Sequence, residues 1–421
     1  MNEQFLHYLW KHKLFNKSQI FTTDGLPVEI ISVGEHNHNA GPDFFNGRIK
    51  IDGTEWAGSI EIHLKSTDWF KHGHDKDSAY NNVILHVVAH NDGPVITSNN
   101  ISIPTIELNL DSKLTSNYQT LINSKKWVPC EDYYAQIDPL LRNMWNETLL
   151  IQRLLRKSKI VQSLLAESNN DFDEVFFKLL CSNMGFKTNK QPFEQLARSI
   201  NLRIIRSIGN NFKSLEALLF GIAGFLQSPA DEYQKTLATE YLHLSNRFGL
   251  QTMDPVIWKF ARMRPVNFPT IRLAHLAHIL SRSTSFTDNL KKAIQIQDVR
   301  NLFDAHVSEY WQTHYTFGKP AKKSRKNFGT SSIDNIIINS IFPFLFEVAK
   351  YYDDNETEKK VFRWMEALPP EINHITKQWQ LLGAENTSAY DSQALIELYN
   401  EYCIQQKCLN CRLGGYIIRE K

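Results

Sequence analysis

Residues 33–88, VGEHNHNAGPDFFNGRIKIDGTEWAGSIEIHLKSTDWFKHGHDKDSAYNNVILHVV, decide the fold. Asp52-Gly53 separates two alternating runs, 46–51 and 55–65, which is the pattern of a β-hairpin. In a strand the side chains at i, i+2 and i+4 share one face. Glu61, His63 and Lys65 of EIHLK therefore point one way, and Ile60, Ile62 and Leu64 point into a core. Gly41-Pro42 fixes the backbone just before Asp43, and the polar turn WFKHGHDKD leads to a further strand over 83–89.

Working outward, residues 3–14 read as an amphipathic helix carrying Phe5, Leu6, Leu9, Trp10 and Leu14 on one side. Strands are expected at 28–33 and 101–108. The order is helix, three-stranded antiparallel meander, short connection, strand, strand. This predicts an α+β domain over 1–135 with a mainly antiparallel sheet. At Asp138-Pro139, a cap followed by proline at the first helical position, the pattern becomes helical. Helices are expected over 140–166, 171–183, 190–199, 212–227, 230–247, 269–282, 287–296, 332–352, 355–367 and 387–406. No repeat of fixed period supports a solenoid. The stretch 314–332, HYTFGKPAKKSRKNFGTSS, has five cations and no acid, and reads as a mobile basic loop or a domain boundary. The expected division is 1–135, a helical domain 136–315, and a basic loop with a C-terminal helical segment over 316–421.

Composition narrows the function classes. Net charge is +2 with 22% charged residues, so any nucleic-acid surface must be a local patch. The N-terminus lacks the apolar core and cleavage site of a signal peptide. The apolar run LEALLFGIAGFL, about a dozen residues, falls short of the roughly 20 that a membrane span needs. Five cysteines in so long a chain argue against a disulfide scaffold, and a cytoplasmic location without a membrane is expected.

Cleaving a phosphodiester with a hard divalent ion calls for two converging carboxylates and a basic group that positions or activates water. Asp43 and Glu61 are placed to converge on Mg²⁺ or Mn²⁺, with His63 or Lys65 as the basic group. His72 and His74, in H-x-H spacing, suit Zn²⁺ or Mn²⁺ or a proton relay. The bland alternative makes Asp43 a turn cap, 61–65 a solvated face, the loop histidines polar surface and His86 a hydrogen-bonded core residue.

This order resembles the PD-(D/E)XK nuclease superfamily, whose core is a helix, a three-stranded meander, a helix and a further strand. Its signature is Pro-Asp on one strand and acid-x-Lys on the next. Pro42-Asp43 matches the first part and Glu61 the second acid, while the lysine position falls on His63 and Lys65 lies one strand period further along. The resemblance implies a metal-dependent nuclease, or a degenerate non-catalytic module that binds nucleic acid or protein. A zinc-dependent hydrolase acting through the histidine turn is a third reading. Over nearly its full length the chain also resembles an uncharacterised bacterial domain-of-unknown-function family. That resemblance rests on AGPDF, EIH, DWFKHGHDKD, VILHVV, MRPVNFPTIRLAHLA and the closing CLNC.

Cys403-x4-Cys408-x2-Cys411 offers three thiols, and Cys130 in WVPC is the natural fourth ligand for zinc or an iron–sulfur cluster. Some nucleases of the superfamily carry an iron–sulfur staple of this kind, with different spacing. Without metal, Cys408 and Cys411 are simply helix neighbours, and Cys181 is a core cysteine. Arg264 and Arg272, with Lys322, Lys323 and Arg325 of the basic stretch, are expected phosphate contacts, because such contacts position a nucleic acid without reading its sequence.

Overall fold

Helix α1 (Glu3–Lys11) begins where Asn2 caps the amide of Phe5, and it buries Phe5, Leu6, Leu9 and Trp10 completely. The computed structural model describes residues 2–16 and 20–420. They form two compact units, Met1–Trp145 with Tyr399–Lys421, and Asn146–Leu398.

The first unit is built on strands β1 (Val28–Ser32), β2 (Glu35–His36), β3 (Phe44–Ile51), β4 (Thr54–Lys65), β5 (Val83–His90) and β6 (Thr105–Glu107). Their order is β1-β3-β4-β5-β6, with β2 on β3. The β3–β4 turn forms at Asp52 (φ 44°) and Gly53 (φ 82°), both left-handed as a two-residue hairpin turn requires. The sheet is mixed, a correction to the mainly antiparallel expectation. β1, β3 and β4 run antiparallel, but β5 lies parallel to β4 and β6 parallel to β5. The physical reason is residues 66–82, which hold helix α2 (Asp68–Lys71) and two 3₁₀ turns. They are long enough for the crossover that a parallel pair needs.

Parallel pairing covers both faces of β4's centre. Ile60 and Ile62 are fully buried, and so, within a few per cent, are Glu61 and His63. Of Glu61, His63 and Lys65, only Lys65, at the strand's end, is exposed. Gly58 pairs with Gly47 across the hairpin, and a Cβ there would lie 2.5 Å from Ile84 Cγ2 and 2.6 Å from the Asn82 carbonyl oxygen. Gly58→Ala is expected to destabilise this unit by about 1–3 kcal/mol through overpacking. An unchanged urea midpoint would contradict this packing.

The second unit is helical. After α3 (Ser112–Ile122) of the first unit, it contains most of helix α4 (Pro139–Glu167), then α5 (Phe172–Met184), α6 (Lys190–Arg198) and further helices up to Ala389–Glu397. Most expected spans agree within a few residues. The span 287–296 is instead two helices, Phe286–Lys292 and Ile296–Phe303, the second opened by a Gln295–Asp298 capping box. The span 212–227 stops at Ile222, just before Gly224 at φ +83°. Helices Ser112–Ile122, Leu202–Ile208, His374–Leu381 and Arg412–Glu420 were not legible. The basic stretch is ordered in part. His314–Thr316 pairs with Lys319–Pro320, and the buried Lys326 ammonium donates to the carbonyls of Trp311 and Gln312. The span Thr330–Tyr352, broken by a π turn at Ile337–Ile341, is long and apolar enough to cross a membrane, and 78% of its apolar window is buried, as in a core helix.

Glu216 is buried in this unit, accepting from Tyr233 Oη, from Trp311 Nε1 at 3.0 Å and from Ser308 Oγ at 3.5 Å. Burial outweighs these donors and pushes its pKa from 4.5 up to about 7. A carboxyl with a raised folded pKa contributes stability that is complete below the unfolded value and is lost as pH rises through the folded one. Between pH 4.5 and 7 the loss amounts to roughly 3 kcal/mol. The thermal midpoint is expected to fall across this window, and Glu216→Gln to flatten the fall. Equal slopes in both proteins would contradict the assignment.

Candidate metal centre

Asp43 is placed by the loop before it. Asn37 donates from Nδ2 to the carbonyls of Ala40 (3.3 Å) and Pro42 (3.0 Å), and its backbone amide donates to the Asp43 carbonyl (2.7 Å). A bulge follows, with Asn46 at φ 57° and the β3–β4 register shifting between Phe44 and Gly47. Bulges of this kind re-aim side chains at a sheet's functional edge. Two backbone amides then tie the Asp43 and Glu61 strands together. The Asp43 amide donates to Glu61 Oε2 and the Ile62 amide to Asp43 Oδ2, both at 3.0 Å.

The histidine turn is held from beneath by Trp69. Its indole is fully buried, donates to the Ile96 carbonyl at 2.9 Å, and packs with Val83, Val95, Ile103 and Tyr80. At the turn's start Asp92 accepts from Ser66 Oγ, Thr67 N and Thr67 Oγ1, each at 2.9 Å. Gly73, at φ +76°, reverses the chain between His72 and His74. His74 stacks on Tyr80 with ring centroids 3.8 Å apart.

Four side chains meet in consequence. His63 Nε2 lies 3.0 Å from His72 Nδ1 and 3.7 Å from Glu61 Oε1, and His74 Nε2 lies 3.2 Å from the same Glu61 oxygen. One nitrogen each of His63, His72 and His74 lies within 4.8 Å of the others. Ligand nitrogens around a tetrahedral ion with bonds of about 2.0–2.1 Å sit roughly 3.3 Å apart. The three imidazoles therefore lie near the spacing of a transition-metal site, with His63 Nε2 and His72 Nδ1 in contact until an ion separates them. His63 Nδ1 in turn contacts His86 Nε2 at 2.8 Å, the kind of outer partner that orients a ligating imidazole. His63 and His86 are buried, and His72 is exposed, which opens the site to solvent.

Burial, reinforced by the neighbouring imidazoles, drives the pKa of His63 down to about 2, and burial lowers His86 to about 3. Both are neutral, the form that binds metal. Burial also raises Glu61, against the pull of His74. His7 of α1, which the sequence reading passed over, places Nε2 3.2 Å from Asp43 Oδ2 and 3.9 Å from Glu3 Oε1. Burial works against charge on this ring, but Asp43, Glu3 and Glu61 outweigh it and raise its pKa. The Glu3–His7 spacing on a helix was the signal available for it.

The remaining candidates lie elsewhere. Lys65 is exposed, and among the described residues its ammonium bonds to none of these groups. Cys130, Cys408 and Cys411 are buried and Cys403 is half-buried, all in the first unit. Burial pushes every one of these thiols up, with Cys408 reaching about 12, and neighbouring thiols add to the rise for Cys130, Cys403 and Cys408. The Trp145 indole N–H lies near the Cys411 sulfur and works against the rise that burial gives this thiol. Arg264, Lys322, Lys323 and Arg325 are exposed. Arg272 is 4% exposed, with its guanidinium 4.5 Å from the Phe186 ring centroid and 4.8 Å from that of Phe328, donating to Asn267 Oδ1 and Ser332 Oγ.

The chain belongs to the family described as Protein of unknown function (DUF2851), whose model matches residues 3–374. No curated protein and no solved structure matches it.

Proposed function

We propose that the first unit is a metal-dependent phosphodiesterase acting on nucleic acid, with a PD-(D/E)XK-like core. The observation that carries this reading is the convergence of His63, His72 and His74 within 4.8 Å, with Glu61 beside His63 and His74 and Asp43 tied to Glu61. Three imidazoles and a carboxylate suit Zn²⁺ or Mn²⁺ better than Mg²⁺, which prefers oxygen. Such an ion supplies charge neutralisation at a phosphoryl oxygen and a more acidic water. Glu61, His63, His72 and His74 would hold it. His63, engaged at both ring nitrogens and neutral, acts as ligand and not as base. His7 holds a proton at Nε2 against Asp43 and is the group placed to move it. Arg264, Lys322, Lys323 and Arg325 supply exposed positive charge for the nucleic-acid backbone.

Cys130, Cys403, Cys408 and Cys411 would form a second metal site, for zinc or an iron–sulfur cluster; their place in one unit and the rise that neighbouring thiols give Cys130, Cys403 and Cys408 support it. One observation favours a second reading, a non-catalytic nucleic-acid-binding module. The lysine position of the nuclease pattern carries His63, and Lys65 stands apart from the acids. A cleavage assay separates the two, using single- and double-stranded DNA and RNA with Mn²⁺, Zn²⁺, Mg²⁺ or chelator. Cleavage with Mn²⁺ or Zn²⁺, lost in chelator, is expected. Salt-sensitive binding without cleavage in any ion would favour the module.

A further inference from the structure

The second unit contains a cavity of about 680 Å³ walled by α4, α5, α6 and the segment around Asn339. Its volume lies within the roughly 300–1,000 Å³ typical of small-molecule sites. Seven of its nineteen lining residues are Lys or Arg and two are Glu, in a chain whose net charge is only +2. Neighbouring groups leave much of this charge uncompensated. Arg153 is matched by the buried carboxylate of Glu397 and by Glu371 nearby. Lys190 lies 3.8 Å from Glu194. Lys178 donates to Ser168 Oγ at 2.9 Å and Lys157 to Asn339 Oδ1 at 2.6 Å, both neutral partners. Among the described residues no carboxylate lies within ion-pairing distance of Lys157, Lys178 or Arg198.

A cation taken out of water without a counter-charge is costly, and that cost falls on Lys157, because Lys178 is half-buried and Arg198 is exposed. Burial, with Arg153 adding to it, holds the Lys157 ammonium well below the usual lysine range, against the pull of Glu371 and Glu397. An anion in the cavity would reverse that cost. Alongside the cations, Ile160, Val161, Leu164 and Leu179 provide an apolar wall. Bidentate guanidinium groups, point-charge ammoniums and an apolar surface together match a phosphate joined to a flat, weakly polar body.

We propose that this cavity is a nucleotide-binding site, in which Lys157, Lys178 and Arg198 hold the phosphates and the aliphatic wall receives the base. The proposal is independent of the hydrolytic reading of the first unit. The same chemistry is offered by a free nucleotide and by the phosphorylated end of a strand.

The test is isothermal titration of the full chain with inorganic pyrophosphate, ATP and a 5′-phosphorylated tetrathymidylate, at low and high salt. Binding of pyrophosphate and at least one nucleotide probe in the micromolar range, weakened by salt, is expected. Tighter binding of ATP identifies a free nucleotide, and tighter binding of the oligonucleotide a strand end. The double variant Lys178→Ala/Arg198→Ala, at partly or fully exposed positions, should lose at least tenfold in affinity. Lys157→Met should lose binding and melt at a higher temperature than the unmodified protein without ligand. No binding below millimolar by any probe would overturn the proposal, as would undiminished binding in both variants. A melting temperature lowered in Lys157→Met, with affinity kept, would make Lys157 merely structural and overturn its role.

Discussion

Glu61→Gln is expected to abolish metal-dependent cleavage while leaving the first unit folded. Glu61 is the one side chain of the cluster that joins both halves. Oε1 faces His63 and His74, and Oε2 accepts the amide of Asp43. The amide of glutamine keeps the shape and one acceptor oxygen but removes the charge that an ion needs. A bound metal contributes several kcal/mol to stabilising charge in such a reaction. At about 1.36 kcal/mol per tenfold, the rate should fall roughly 10³-fold or more. The fold should tolerate the change, because burial already disfavours the charged carboxylate. Rates under single-turnover conditions, with circular dichroism as the control for folding, measure this. A variant that binds metal and cleaves at the parental rate would remove Glu61 from the site. His7→Gln is the milder companion. It should lower the rate without releasing metal, because His7 touches Asp43 and not the histidine cluster.

The second large effect is expected at the cysteines. Cys130 lies just before the long helix α4, and the other three thiols lie near the chain's end, yet all four belong to one unit. If they share a metal, the metal closes that unit across the whole helical insertion. Structural zinc sites bind with apparent free energies of about 10–16 kcal/mol, comparable to the roughly 5–15 kcal/mol total stability of a domain. Cys130→Ser is therefore expected to release the metal and lower the first unit's melting temperature by about 10 °C or more. Metal content and the visible absorption of an iron–sulfur cluster report the first effect, and calorimetry the second. Four free thiols by titration in the native protein, with no bound metal, would remove this site.

Much of this was legible because the chemistry lies on elements with strong local codes. The Asp52-Gly53 hairpin, the Gly41-Pro42 approach to Asp43 and the i, i+2 pairing of Glu61 with His63 each follow from a few neighbouring residues. The direction of β5 did not follow from such local rules. It depends on whether residues 66–82 turn back or cross over, and that is settled by Trp69 packing against Val95 and Ile103, residues distant in sequence. The same packing places His74 on Glu61 and His72 on His63. Alternation places Lys65 on the face of Glu61 and His63, but at the end of β4, where it pairs with His90, its side chain is exposed. His7 was hidden for another reason. A helix read for its apolar stripe says nothing about what its polar edge meets. The cavity in the second unit was beyond reach altogether, since its cations come from three helices and its charge imbalance exists only once they pack.

The central claim is that Glu61, His63, His72 and His74 hold a divalent ion. Anomalous diffraction from crystals soaked in Mn²⁺, and separately in Zn²⁺, tests it most directly. The expected result is a single strong peak within bonding distance of Glu61 Oε1 and the three imidazoles, absent in Glu61→Gln crystals. No peak at these side chains in either metal, with His63 still bonded to His72, would contradict the claim and leave a buried hydrogen-bond network in its place.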